Sequence, residues 1–545
     1  MVLALSIPAA NAAEDDDSEA RSQLINLDLE ALGFEIDVLD AVTTESGNPS
    51  DPGANSASID VDVLNSLGIN LPSIGLPLIG DGTNGGLIDL GDAAAAGLLN
   101  GYAASPESTE STAASGAVGA DGAIDADAGS STDLARVDLT GPLGQLGVDG
   151  LTDQIIDELS LELGALASRA EANDGAIDRE YLLAGAELNL SSPAVATLSD
   201  SVQAGVGDIS DGVNALLGPE GAIQGALDGV AIDPIEVGID LPLLDTLLTV
   251  DLGSPELNAS VDLSQVTEGL LDEPLVSDNG LVTIDLDSGI VNVDLAMLHQ
   301  GDLNGLPANT ELLSAQEIAQ IVQTVNELLY EVLDLVTDAV TETLETTELT
   351  ITLDPTLTAG AGLVGGDLDV SLAGTLAQFT GQSAEAPDVD VSGSITIIGI
   401  PVPVGDIVGA VVEPVLAELV PQIGSALSPL LDDASGVVAD AIEPLIDALT
   451  DTLDPVFTDV LNEIASVTVN KQEDGADVED WHSVSALNLV VLPLLNDAVE
   501  LDLAHSAVRA LQEDVVEDAA IEVSPDEVEI GDDVTVDGSG FTPDS

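Results

Sequence analysis

The sequence predicts an α+β protein: an elongated body of antiparallel strands packed by long amphipathic helices, followed by an incomplete β-sandwich of immunoglobulin-like type. Three observations lead there. Short stretches in which apolar and polar residues alternate recur along the chain, the period of half-buried strands. Between them stand runs with an apolar residue every three or four positions, the period of helices. Apolar residues also make up 45% of the 545 residues, too many for an acidic disordered segment.

The chain divides by composition. Residues 1–13 have an apolar run ending in Ala10-Asn11-Ala12, followed by Glu14-Asp15-Asp16-Asp17, and are expected to be a signal peptide. Residues 14–102 are rich in strands and turns. Residues 103–133, mostly Ala, Ser, Thr, Gly and Asp, are expected to be a low-complexity loop, a linker or poorly packed edge structure. A first α+β region covers 134–310. Leu159, Leu161 and Leu163, and Ala186, Leu188 and Leu190, alternate as strands do, and a helix follows Ser192-Pro193 and stops at Gly218-Pro219. Val282 to Leu295, folded about Asp287-Ser288-Gly289, is a hairpin.

The second α+β region, 311–515, opens with the longest element. Ser314 and Glu317 form a capping box, and Ile318, Ile321, Val325, Leu328, Val332, Leu335 or Val336, Val340 and Leu344 share one face. Strands follow at Leu349–Leu353, Leu368–Leu372 and Ile395–Ile398. Helices run from about Asp406 to Ser466, with Asp454-Pro455 expected as an N-cap with proline at the first helical position. Strands resume at Val467–Val469, Val484–Val491 and Val499–Leu503. Residues 520–545, beginning Ile521-Glu-Val-Ser-Pro525, start an immunoglobulin-like domain that needs about 100 residues, so the chain is expected to stop inside it, with any anchor beyond Ser545.

Charge sets the boundary conditions on function. With 101 Asp and Glu against 6 Lys and Arg, the formal charge is −95. A nucleic-acid binder needs a basic stripe and stacking aromatics, and an anionic membrane surface needs cations. This chain has one Trp, three Tyr and four Phe, so neither partner is expected. With no cysteine there is no disulfide or thiolate site, and three histidines leave little imidazole chemistry. No stretch has 18 uninterrupted apolar residues, so no transmembrane span is expected.

The motifs that resemble known chemistry weigh toward structure. Gly360-Ala-Gly362-Leu-Val-Gly365 fits G-x-G-x-x-G, but a strand pattern follows where a dinucleotide site needs a helix N-terminus. Asp121, Asp125 and Asp127 are weak candidates for Ca²⁺, which takes six to eight oxygens; with 101 carboxylates such clusters arise by chance, and diffuse cation binding is the expectation. Trp481-His482 reads as a turn aromatic packed on the body. Lys471, the single lysine, is the one residue able to form an isopeptide crosslink. No catalytic residue and no bound cofactor is expected.

Val63-Leu-Asn-Ser-Leu-Gly-Ile-Asn-Leu-Pro72, Ala113-Ala-Ser-Gly-Ala-Val118 with Gly122-Ala-Ile124, and Leu159-Ser-Leu-Glu-Leu-Gly-Ala-Leu-Ala167 form an ordered series. Leu190-Ser-Ser-Pro-Ala-Val195, Ser485-Ala-Leu-Asn-Leu-Val-Val491 and Leu501-Asp-Leu-Ala504 extend it, from about residue 20 to 510. Together they resemble the choice-of-anchor G family of bacterial cell-surface proteins. That resemblance implies export and display at the cell surface or wall through a C-terminal sorting signal, and it brings no enzymatic role to carry over. The expected function is therefore non-enzymatic, structural or adhesive, with an envelope polymer or another cell as partner. The alternative is a secreted carrier of a lipid or other apolar ligand. A secreted hydrolase is less favoured, because sugar clefts are usually lined with aromatics.

Self-repulsion at this charge opposes compaction, and 0.1 M salt screens beyond about 10 Å. The melting temperature of residues 14–520 is expected to rise steeply with NaCl or CaCl₂. A flat response would show that the carboxylates are already spread without cost.

Overall fold

The computed structural model describes residues 16–539 apart from 28–42, 59–69, 72–75, 81–85, 91–98, 126–134, 144–154, 230–232, 242–243, 264–265, 267–272, 360–363, 398, 403–404, 476–480, 493–498, 513–519 and 525–534. The expected signal peptide, the G-x-G-x-x-G loop before Val364 and Asp127 lie outside them. The fold is α+β, and strands outweigh helices, at 43% against 34% of the described residues.

Two sheets face each other at one end. Their strands are β1 (Ser18–Leu27), β2 (Thr43–Asn48), β3 (Asn55–Ser58), β4 (Asn100–Glu107), β5 (Glu110–Gly116), β6 (Leu166–Asn173), β7 (Ala176–Leu183), β8 (Thr310–Glu311), β9 (Ala465–Asp474), β10 (His482–Val491) and β11 (Val499–Arg509). Six form one antiparallel sheet in the order β2-β1-β11-β10-β9-β8, and five form the other in the order β7-β6-β5-β4-β3. The first described strand thus pairs with the last strand of the body, Ala20 opposite Val508 and Ser22 opposite Ser506.

The layer between these sheets is made of small residues. Ala20, Ala103, Ala113, Ala170 and Ala172 pack with Val484 and Val508. Buried serines stitch one sheet to the backbone of the other: Ser22 Oγ donates to the Ala114 carbonyl at 2.7 Å, Ser115 Oγ to Gln23 at 2.8 Å and Ser111 Oγ to Arg509 at 3.0 Å. The hydroxyls of Ser168 and Ser506 meet at 2.7 Å. A single Cβ–Oγ reach plus one hydrogen bond brings the sheets closer than the ~10 Å of ordinary stacked sheets. A buried leucine contributes about 1.5–3 kcal/mol and a typical hydrogen bond about 0.5–1.5 kcal/mol, so this layer relies on many satisfied hydroxyls rather than on large side chains.

Two expectations are corrected here. Residues 103–116 are no loop or linker: β4 and β5 lie inside the five-stranded sheet, with Ala103, Ala113 and Ser115 fully buried. Small residues there are what a close sheet-to-sheet approach requires. Nor do the boundaries at 102, 133 and 310 separate bodies, because the six-stranded sheet draws strands from both sides of all three and the five-stranded sheet from both sides of 102 and 133.

The six-stranded sheet also creases. Asn470 and Ala504 have φ of 54° and 50°, left-handed values that reverse the in–out alternation. Consecutive residues on either side therefore face the same way, and Leu24, Ile25, Leu503 and Ala504 all line one small apolar cavity of about 30 Å³. Below the crease the sheet presents Ser and Ala to its neighbour. Above it, Val467, Leu487, Leu489, Leu501 and Leu503 join the large aliphatic core, where a seven-stranded antiparallel sheet (Val282–Asp285, Ile290–Asp294, Ala186–Ser191 and Glu158–Leu163 among its strands) also packs.

Helices cover that core: α1 (Pro193–Leu217), α2 (Ala222–Leu227), α3 (Ala315–Thr346), α4 (Gly405–Pro414), α5 (Val420–Asp432) and α6 (Ala434–Pro455). α1 begins at Ser192, whose hydroxyl accepts the Val195 N–H, and buries Val195, Leu198, Val202, Val206, Ile209, Val213 and Leu217. α3 has the expected capping box at Ser314 and Glu317 and buries the expected stripe, with Val336 on it. The hairpin at 282–294 is also as expected.

Asp454-Pro455 does not start a helix. Pro455 ends α6 and runs directly into a π-turn, Val456–Val460, in which the Leu461 N–H reaches back to the Val456 carbonyl. A wider turn after a proline keeps the helical path without the N–H that proline lacks. Asp454 instead accepts from Asn326 of α3 at 3.2 Å. Pro414 is likewise followed by a π-turn, Val415–Leu419. The joined run Val411–Thr458 is long and apolar enough to cross a bilayer by composition. Here its face of Leu419, Ile423, Leu427, Val438, Ile442 and Ile446 is buried in the body. Beyond β11, Ala520–Ser524 and Thr535–Ser539 pair as a separate two-stranded sheet.

Replacing Ala113 by leucine in the serine–alanine layer is expected to lower stability by about 1–3 kcal/mol, because a close-packed interior resists added volume. Urea unfolding measures it; an unchanged midpoint would mean the sheets stand further apart.

Candidate functional site

Two surfaces gather the features from which a function could arise. The first is the outer face of the six-stranded sheet below the crease. Register places Lys471, Ser485, His505 and Gln23 in one row across β9, β10, β11 and β1, with Glu473, Ser483, Ala507 and Arg21 in the next. Trp481 sits just before β10, with the Arg21 and Arg509 guanidiniums 5.3 and 5.8 Å from its ring centroid. It is the turn aromatic the sequence suggested, held by two cation–π contacts. Three of the six Lys and Arg, and the one Trp, converge on this face.

Those cations are already engaged. Arg21 pairs with Glu45 at 2.7 Å, Arg509 with Glu19, and Lys471 with Glu500 at 2.7 Å and Glu473 at 3.1 Å. Elsewhere Arg136 pairs with Glu158, Arg169 with Glu171 and Arg179 with Asp474. Burial opposes charge on Lys471, but the Glu500 and Glu473 carboxylates win and raise its pKa. The Lys471 contact in turn lowers the pKa of Glu500. Ser485 Oγ lies 2.9 Å from His505 Nδ1, and burial pushes His505 below its ordinary range. Ser485 is 1% exposed, so this Ser–His pair offers no nucleophile to a substrate.

The second surface is a groove between α1, α2, α5 and α6, with Leu344 at the end of α3, enclosing about 1200 Å³. Ile209, Val213, Leu216, Ile223, Leu430, Val437 and Leu445 supply its apolar walls. Small residues line it on facing helices, which approach closely at one point and leave open space at another. A methyl group at Gly205 would stand 3.9 Å from Cβ of Ala441, and one at Gly212 would meet nothing within 4 Å. Leu216 and Val437 remain 40% and 48% exposed beside it. Small-molecule sites are concave, mostly apolar and about 300–1,000 Å³ in volume; this groove shares that apolar character and is somewhat larger.

The acidic candidates lie elsewhere. Asp121 and Asp125 are exposed in the turn after β5, where Asp121 accepts the Ala123 N–H at 3.3 Å and the Asp125 N–H donates to Ala117 at 2.9 Å. Among the described residues no three His, Cys, Asp or Glu come together to hold an ion. In the sequence the large apolar stripe of α1 overshadows Ala204, Gly205, Asp208 and Gly212 beside it. Their spacing of three and four was the available signal.

The chain belongs to a family described as a domain of unknown function (DUF8394), matched over residues 21–509, from within β1 to the last residue of β11. No curated protein and no solved structure matches it.

The histidine sets a pH dependence. A lowered folded-state pKa means that the unfolded chain binds a proton the folded chain refuses, so stability falls as pH drops through the ordinary imidazole range, near 6.5. Glu500 acts in the same direction at lower pH, losing its contribution as pH falls through the carboxylate range. Between about pH 6.5 and 5, above most carboxylate titrations, His505→Gln is expected to flatten the loss of stability, read as urea midpoint against pH. Equal slopes in both proteins would remove His505 from the account.

Proposed function

We propose that this is a non-enzymatic, exported protein displayed at the cell surface, structural or adhesive in role, with an envelope polymer or another cell as partner. The observation that carries the reading is closure. β11 returns beside β1, the family match ends with it at Arg509, and the next strands pair only as a sheet of their own. A self-contained body followed by a separate β segment is how a displayed head is joined to a stalk. In this reading Ala520–Ser539 begins an immunoglobulin-like stalk module and the body is elongated. The resemblance to the choice-of-anchor G family supports it, and so do the six cations, each held on the chain's own carboxylates, which leave the surface acidic. Such a surface is suited to high salt or to diffuse binding of calcium and other cations.

One observation favours a second reading, a carrier of an apolar ligand: the groove of about 1200 Å³ between the helices. The two are compatible, since a displayed body can hold a ligand.

Display is tested on whole cells of the source. Protease shaving should release fragments of residues 16–509, and the intact protein should fractionate with the envelope. Recovery of the free protein from the medium, with nothing shaved from cells, would overturn display and leave the carrier reading.

A further inference from the structure

We infer that the groove between α1, α2, α5 and α6 takes a single apolar chain with a positively charged head. The inference rests on the carrier reading and goes further, to the chemistry of the ligand. The dimensions fit a chain. From Ser201 to Leu216 the groove follows α1 for about 22 Å at 1.5 Å per residue. An acyl chain spans one leaflet, about half of a ~30 Å hydrocarbon core. At Gly212 an added methyl group would meet nothing within 4 Å, so a ligand can lie at backbone level there.

The head group follows from charge. Among the described lining residues, Ser201, Asp208 and Asp433 are the polar side chains, and none is a cation. Asp433 stands exposed at the junction of α5 and α6, where the two helix dipoles oppose each other, so its own carboxylate is the charge that counts. A carboxylate or phosphate head would meet two acids and the field of a chain at −95, whereas an ammonium head would find partners in both. The same field argues against a second copy of this chain as the occupant, since it would bring equal charge.

The test uses the full chain and three probes of equal length: dodecyltrimethylammonium, dodecanol and dodecanoate, each below its micellar concentration. Displacement of Nile red gives their affinities. The cation is expected to bind roughly tenfold more tightly than dodecanol, a difference of about 1.4 kcal/mol, with dodecanoate weakest. Asp208→Asn with Asp433→Asn should bring the cation down to the level of dodecanol. Gly212→Phe, which fills the groove, should abolish uptake, with Ala226→Leu as a second filling variant. Gly207→Phe, on α1 but off the groove, should change nothing. Dodecanoate binding as well as the cation would overturn the head-group inference and leave the carrier reading standing. Cation binding that survives both filling variants is adsorption to the acidic surface and would overturn the inference. No uptake of Nile red or of any probe would overturn the inference and the carrier reading together.

Discussion

Serine hydroxyls reaching from one sheet to the backbone carbonyls of the next set the spacing on which this body depends. Ser22, Ser111 and Ser115 each bond across the layer, and Ser168 meets Ser506 within it. The sheets can approach this closely because their facing positions are Ala, Ser and Gly. At Gly101 even a methyl group would stand 2.6 Å from Thr44 Oγ1. The layer gathers β1, β4, β5, β6 and β11, so residues nearly 490 positions apart in sequence meet there. Arg509 donates to the Asp16 carbonyl at 2.9 Å beside its Glu19 pair.

The crease carries this constraint into the rest of the body. Strands that met a thin layer of serine and alanine must next cover a thick layer of leucine and valine. Two residues in left-handed conformation, Asn470 and Ala504, reverse the alternation without changing which side faces inward. One side of the sheet therefore stays mostly polar, interrupted by residues such as Ala507 and Val490. With so few cations, each one placed there neutralises a carboxylate of the same sheet. Surface pairs of this kind contribute about 0–1 kcal/mol each, so they organise the face more than they hold the fold. The groove lies at the other extreme, where helices carrying alanine and glycine leave apolar space unfilled.

Much of the secondary structure was legible because it follows simple periods. The three-and-four spacing from Val195 to Val213, the Ser314–Glu317 capping box and the alternation at Leu159–Leu163 each report burial on one side. What could not be read were the places where small residues do the packing. Residues 103–116 have the composition of a linker, and only a partner sheet at close range turns Ala and Ser into core. Asp454-Pro455 misled for a related reason. The π-turns after Pro414 and Pro455 carry the helical path past residues that normally end it, and no local pattern announces them. The groove is a property of four helices together, and its signal in any one of them is a few glycines and alanines.

The absence of cysteine makes closure of the body directly measurable. Ala20→Cys and Val508→Cys would place a pair on directly opposed positions of β1 and β11. On mild oxidation of the full chain, the account predicts a single intramolecular disulfide, formed in the native state, and a higher melting temperature. Two thiols that stay open to alkylation, or that crosslink only between molecules, would contradict the pairing of the first and last strands of the body.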